Sequence, residues 1–381
     1  MSASDTRIER IEAFASSFPV KQAVSLGVGR AVKRDAVIVK VLTRGGLVGW
    51  GESHHGRCPT AVADIVNTTL RQLALGMDAL DVVGVWHTIY QKQLASHGMG
   101  AAASMAMSGI DMALWDIRGK AAGWPLYKLL GGRARTIPAY AGGISLGYQE
   151  PAALCAEVAA LTAQGYRAVK LRLGDGAKND SMRVRAVRKA FPDLKIMTDA
   201  NTGYAVADAR AVMPVLDECG VEWLEEPFPP HDHRSYRAAT GFGRTPLAAG
   251  ENHFGRFEFT RVIEDGAITV LQPDLSKTGG ITEALRIAAM ASAYKLSINP
   301  HTSATAMNMC ASIHFLSAID NGGYYEADVA KENLFRDELA SPVVRVDAAG
   351  CVTPGEAPGL GVEVNEDFLR AHPVIEGPAY V

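Results

Sequence analysis

Between residues 137 and 326 the chain repeats one arrangement: a short apolar run ending near a polar residue, then a longer amphipathic stretch. The runs cover 137–141, 168–173, 195–198, 222–224, 246–249, 268–271, 296–298 and 323–326. Lys170 and Arg172, Asp199 and Asn201, Glu225, Glu251, Asp274, His301 and Glu326 stand where they end. From Arg172 onward the intervals are 27, 26, 26, 23, 27 and 25 residues, about the length of one strand–helix unit. Eight short strands alternating with helices close most simply into a barrel, whose C-terminal rim collects the strand-end residues. A scatter of surface charges would not keep step with the strands. An open doubly wound sheet calls for a Gly-rich phosphate loop after an early strand; Gly46, Gly49 and Gly51 lack that spacing and lie in a hairpin.

Upstream of residue 131 the pattern differs. Apolar alternation over 36–41 and again up to Gly51, with Arg44-Gly45-Gly46 as turn material, predicts antiparallel strands. Helical spacing follows over 60–75 and 101–121, where Met105, Ile110, Leu114 and Ile117 recur. An antiparallel sheet with a helical layer satisfies both.

Charge narrows the partners. Of 381 residues, 41 are acidic and 38 are Lys or Arg, so the net charge is −3, which argues against nucleic acid as the main partner. The densest run of bases, residues 183–189, reads as a solvated helix face. No stretch approaches the roughly 18 apolar residues of a membrane span, and residues 1–10 hold no apolar signal segment, so a cytoplasmic protein is expected. Cys58, Cys155, Cys219, Cys310 and Cys351 are odd in number and far apart, with neither a CxxC pair nor a disulfide framework.

The strand-end residues carry the chemistry. Side chains alternate along a strand, so Lys170 shares a face with Arg172, and Asp199 with Asn201. Of Glu225 and Glu226 only one is expected inward, and parity does not choose between them. Asp199, Glu225 and Glu251, from consecutive strands, form an oxygen-only set suited to a hard divalent cation such as Mg²⁺. Asp274, one unit before His301, is placed to orient its imidazole as a general base. By contrast, His231-Asp232-His233 reads as a surface loop, and His314 as a packed helix residue.

In combination these motifs resemble the enolase superfamily, and within it the mandelate racemase subgroup. They are Lys170-Leu171-Arg172, Asp199-Ala200-Asn201, Glu225-Glu226-Pro227, Gly250-Glu251-Asn252, Pro273-Asp274 with Lys277-Thr278-Gly279-Gly280, Asn299-Pro300-His301 and Tyr325-Glu326. The resemblance implies an α/β architecture: an N-terminal α+β capping domain (1–130), a modified (β/α)7β TIM-type barrel (131–350), and a C-terminal segment (351–381) packing back on the cap. It implies one Mg²⁺ per subunit on Asp199, Glu225 and Glu251, an acid/base dyad of Asp274 and His301, and Glu326 hydrogen-bonded to the substrate carboxylate. A homo-oligomer acting on a small-molecule carboxylate is expected.

The chain departs from the family pattern at Arg172, where a second lysine usually serves as base on the face opposite the histidine. A guanidinium stays protonated and is a poor base, though a good carboxylate clamp. Two-base racemisation loses ground accordingly, and dehydration of an aldonate or aldarate to a 2-keto-3-deoxy acid becomes the leading expectation. His301 could serve both steps of it; Lys170 is an alternative acid or base on the other side. A racemase, an epimerase or a lactone cycloisomerase would use the same enolate, and a non-catalytic carboxylate-binding barrel is a third reading. Specificity is expected in two cap loops, residues 14–30 with Lys21, and 51–57 with His54, His55 and Arg57, alongside Asn201.

Overall fold

The computed structural model describes residues 5–97, 100–302 and 304–381. Residues 1–4, part of the opening segment read above, lie outside the described residues. Strands β1 (Ile8–Pro19), β2 (Lys33–Thr43) and β3 (Val48–Ser53) form an antiparallel sheet in that order. The sequence reading places a loop from Phe14, but β1 runs to Pro19: a register shift between Ile8 and Arg10 interrupts its alternation and hides the strand. Helix α1 (Ala101–Ala122) crosses the sheet at close range. Gly51 permits this, because a Cβ there would stand 2.2 Å from the Gly109 carbonyl oxygen. Helical turns over 59–74 complete the layer, together with a stretch over 82–97 whose period the sequence reading does not pick out.

The barrel follows in strict alternation. Its strands are β4 (Ile137–Gly142), β5 (Ala168–Arg172), β6 (Lys195–Asp199), β7 (Leu224–Glu225), β8 (Leu247–Ala249), β9 (Ile268–Leu271), β10 (Ser297–Ile298) and β11 (Tyr325–Asp328). Between them lie α2 (Pro151–Ala163), α3 (Ala177–Ala190), α4 (Val206–Glu218), α5 (His233–Ala239), α6 (Gly255–Asp265), α7 (Gly280–Ala293) and α8 (Ala306–Ala318). The strands pair parallel in chain order, β11 lies beside β4, and an Ile298–Gly322 bridge joins the last two units. Among the described residues this is a modified (β/α)7β barrel with an α+β cap. The eighth expected strand shifts most: it starts at Tyr325 and runs to Asp328, which puts Glu326 inside it.

Inside the barrel, Tyr140, Ala168, Met197, Trp223, Ala248 and Val270 form a separate apolar layer. Two residues further along the same strands come Lys170, Asp199, Glu225 and Gln272. Period-two alternation therefore stacks a polar layer directly on an apolar one. The Lys170 ammonium lies 5.5 Å from the Tyr140 ring centroid, at the junction of the two.

The cap is tied to the barrel at several points. Trp86 Nε1 donates to the Gly279 carbonyl at 2.9 Å, and Trp115 Nε1 to Thr282 Oγ1 at 2.9 Å. Downstream of β11, Cys351–Val352 pairs with Ile137 and Pro138 of β4, so the segment from residue 351 begins on the barrel. It then reaches the cap, where the His372 carbonyl accepts from Ser16 Oγ at 2.7 Å and Tyr380 bridges to Ala31. All five cysteines are free thiols. Among the described residues no helix is long and apolar enough to cross a membrane.

Candidate active site

Strand ends set the geometry. The buried Lys170 ammonium touches Glu225 Oε1 and Glu326 Oε1, each at 2.9 Å, with Asp199 Oδ2 at 3.5 Å. Arg172, one inward position higher, grips Asp199 through Nη1, which also reaches Asn201 Oδ1 at 3.3 Å, while Nη2 donates to the Gly143 carbonyl. Gln272 Nε2 completes the Glu225 environment at 2.7 Å. Burial opposes charge on Lys170, yet Glu225 and Glu326 hold its ammonium well above the usual lysine range. The same attraction, against burial, draws Glu326 down to about 2.

Across the barrel stands the histidine. His301 Nδ1 lies 2.6 Å from Asp274 Oδ2, and Nε2 lies 2.8 Å from Glu251 Oε2. Asp274 is fully buried, and its Oδ1 accepts from Ser276 N at 2.7 Å, Ser276 Oγ at 2.6 Å and Asn308 Nδ2 at 3.1 Å. Burial pushes this carboxyl up, but the bonds from His301 and Ser276 win and keep it below its ordinary value. Burial likewise opposes the imidazolium, which Glu251 and Asp274 nonetheless hold well above the ordinary histidine range.

The parity argument fails at one position. Glu225 faces inward at the end of β7, but Glu226 leaves the strand at φ 37°, breaks the alternation and turns inward as well. Among the described residues its carboxylate accepts only from Asn252 Nδ2, at 2.9 and 3.0 Å, a bond that Asn252 shares with Glu251 at 3.1 Å. Asn201 (φ 43°) and Thr202 (φ 62°) adopt the same unusual backbone region nearby. Three such residues at one mouth store strain of order 1–3 kcal/mol each, the kind that surrounding structure tolerates at functional sites.

The donor chemistry fits a divalent cation. Asp199, Glu225, Glu226, Glu251, Asp274 and Glu326 supply six carboxylates, against four basic groups, Lys170, Arg172, Lys277 and protonated His301. The balance is −2. Burial and the neighbouring acids push Glu225 up to about 7 and Glu226 well above its ordinary value, so protons offset that excess. Among the described residues no three carboxylate, His or Cys groups already surround a single point, because basic nitrogens occupy the acids' free oxygens. Oxygen-only donors whose excess charge is balanced by displaceable protons are a setting that suits a hard dication.

Above this floor opens a cavity of about 570 Å³, lined by Arg172, Asn201, Glu251, Lys277 and His301 from the barrel and by His54, His55 and Arg57 from the cap. The His54 and His55 rings stack at 4.2 Å, and each Nδ1 accepts a backbone N–H, from Gly56 and Arg57 respectively, both at 3.0 Å. That fixes the neutral tautomer, with the proton on Nε2 free to donate. Lys21 does not join them. It pairs with Glu332 at 2.9 Å beside a neighbouring cavity of about 590 Å³ that holds no dyad, and the loop's apolar residues Leu26 and Val28 reach the mouth instead.

Several participants escape the sequence reading. His231, read there as surface, edges the mouth, although Asp232 merely caps α5 and His233 pairs with Asp265 at 2.7 Å. His314 is a packed helix residue, accepting from Tyr127 N at 3.2 Å. Glu226, Asn252, Gln272 and Lys277 lie inside recognised motifs, so their spacing could have revealed them. Glu52 could not: it reaches from β3 to accept from Thr305 Oγ1 and from Asn308 N at 3.3 Å, and burial pushes it up to about 8.

Comparison with known proteins agrees with this geometry. Residues 10–131 match the N-terminal domain of mandelate racemase/muconate lactonizing enzymes, and residues 153–368 match the enolase C-terminal domain-like family. The chain is 33% identical over 349 residues to a D-galactarolactone cycloisomerase from Agrobacterium fabrum, covering 88% of this chain and 91% of that one. It is 32% identical over 349 residues to a D-galactonate dehydratase from Pectobacterium atrosepticum, covering 87% and 90%. A crystal structure of an enolase superfamily member from Polaromonas sp. JS666 superposes with a TM-score of 0.96 at 52% identity, covering 98% of this chain and all of that one. A Streptomyces coelicolor racemase with bound magnesium superposes with a TM-score of 0.87 at 29% identity, covering 96% and 100%. The chain belongs to the enolase superfamily, in the mandelate racemase/muconate lactonizing enzyme family.

Proposed function

We propose that this protein is a Mg²⁺-dependent hydro-lyase that removes water from a 2,3-dihydroxy carboxylate, an acid sugar, to give a 2-keto-3-deoxy acid. The observation that carries the reading is the asymmetry of the mouth. One wall presents a histidine backed by a buried aspartate at 2.6 Å; the other presents a guanidinium fixed on Asp199, which cannot cycle a proton.

Asp199, Glu225 and Glu251 would hold one Mg²⁺ per subunit, which when bound acts as a Lewis acid on the substrate carboxylate and makes the α-proton removable. Lys170 faces the same end and would donate to the carboxylate as charge builds on it, and Glu326, held ionised by Lys170, would donate beside it once protonated. His301 Nδ1 is committed to Asp274, so Nε2 is the atom that exchanges protons; engaging Glu251 at the cation would remove one of the two acids that hold the ring charged, and Nε2 acts as base from the neutral imidazole. It takes the proton from C2; the C2 electron pair then forms the C2–C3 double bond, and the C3–O bond breaks. The imidazolium returns that proton to the departing hydroxyl on the same face, and water leaves. The enol tautomerises to the keto acid. Arg172 and Asn201 orient the anion from the opposite side, while Lys170, held charged beneath the floor, is a poor proton carrier.

Incubation of the Mg²⁺-loaded protein with a panel of acid sugars tests this: keto acid appears with at least one of them. Clean α-deuterated epimer in D₂O without keto acid favours the racemase or epimerase alternative, and a lactone rearranged without loss of water favours the cycloisomerase. We carry the cytoplasmic location and the homo-oligomer as parts of the same reading; light scattering on the purified protein measures the second.

A further inference from the structure

The upper mouth contains a buried guanidinium with a spare donor. Arg34 is 7% exposed, borders both this cavity and its neighbour, and has no partner for Nη1 among the described residues. Buried donors are seldom left unpaired, and an orphan beside a cavity points to a ligand atom. Arg34 stands at the start of β2. Residues Arg34, Ala36 and Ile38 share one face of β2, and Ile38 is the register partner of Glu52, whose carboxylate contacts the barrel. Nη2 of Arg34 pairs with Asp328 Oδ2 at 2.5 Å. Asp328 follows Glu326 by two positions on β11, so it lies on the same inner face, about 6.6 Å nearer the cap. Arg34 is thus held above the end of the site assigned to the substrate carboxylate, at the height of the substrate's far end.

The neighbours define what it can bind. Asp328 holds the guanidinium and also lies 3.9 Å from Arg336 Nη1, and Lys33 is paired with Asp35 at 3.2 Å. His54 and His55 are neutral donors. Arg57, at the exposed rim, lies over the Tyr380 ring at 5.0 Å. Two further buried oxygens bordering the cavity, Thr302 Oγ1 and Asp35 Oδ2, lack partners among the described residues. A wall of mixed donors and acceptors suits hydroxyl groups, which both accept and donate. A second carboxylate would compete with Asp328 for Arg34 and face Asp35.

Resting on the acid-sugar reading above, we propose that Arg34 is a specificity-determining residue whose Nη1–H donates to a distal hydroxyl oxygen, so that the site takes aldonates in preference to aldarates. The test measures kcat and KM of the Mg²⁺-loaded protein on a six-carbon aldonate, the matching aldarate and three-carbon glycerate. It compares wild type with Arg34→Lys, which keeps a cation for Asp328 but loses the fork, and with Arg34→Met. The wild type should favour aldonate over aldarate by about tenfold or more, the worth of one hydrogen bond to a charged group. Both variants should lose about tenfold in kcat/KM on the aldonate, mostly through KM, with the six-carbon to three-carbon ratio shrinking by the same factor. An unchanged ratio in Arg34→Lys, or a wild type that prefers the aldarate, overturns the assignment while leaving the dehydratase reading intact. Wild-type protein that releases keto acid from no acid refutes both.

Discussion

The two walls of the mouth are built from the same strand-end logic and differ in what they can do with a proton. On the β5–β6 side, Arg172 and Lys170 are locked onto Asp199, Glu225 and Glu326, and both stay charged. On the β9–β10 side, His301 is backed by Asp274, which itself receives three hydrogen bonds from Ser276 and Asn308. On the proposed reading one wall is an electrostatic clamp and the other a proton relay. A single substitution in the Lys-x-Lys pattern separates this arrangement from one with a titratable base on each side.

Stripping the metal should have the largest effect, because Asp199 belongs to the clamp and Glu251 to the relay. EDTA should abolish turnover and added Mg²⁺ should restore it; full activity in metal-free protein would remove the basis for assigning these acids to a cation. Next, His301→Asn disables the relay alone and should lower kcat by about 10²–10⁴-fold. Magnesium binding, read by calorimetry, should survive, since histidine is no part of the assigned ligand set; activity close to wild type would show that the base lies elsewhere.

Much of this comparison is legible in the sequence, because the interval of 23–27 residues ties each polar residue to a strand end whatever the loops do. What the sequence hides has physical reasons. Glu226 turns inward through a positive φ, a backbone choice that alternation cannot foresee. Glu52 and Arg34 act across the cap–barrel interface, on partners 253 and 294 residues away. Lys21, chosen for its charge, points at Glu332, while the apolar Leu26 occupies the mouth, a matter of loop path rather than composition.

A smaller change should sharpen the contrast. Arg172→Lys places a titratable ammonium on the clamp wall, and α-deuterium incorporation with inversion should then become detectable in D₂O, while dehydration falls by about tenfold through the lost bidentate grip. Dehydration unchanged and no exchange would mean that the clamp wall never approaches C2. The mildest effect concerns Glu52, which links the cap to Asn308 and hence to the relay. Its carboxyl is at about 8 in the folded protein against 4.5 unfolded, so the native state holds an extra proton between those values. Stability should therefore be greatest below about pH 4.5 for this group and decline as pH rises towards 8, by roughly 1.4 kcal/mol per unit of that interval at most. Glu52→Gln, unfolded in denaturant at pH 5 and pH 8, should show a flatter profile than wild type; an identical slope would mean that Glu52 ionises normally.

The central claim is that one wall moves the proton and the other does not. Its most direct measurement is a partial turnover of a single aldonate by the Mg²⁺-loaded wild type in D₂O, followed by NMR of both product and residual substrate. The account predicts 2-keto-3-deoxy acid as product and recovered substrate entirely of the starting configuration at C2. Recovered substrate containing the deuterated C2 epimer would contradict it, because that product needs a working proton carrier on the Arg172 side.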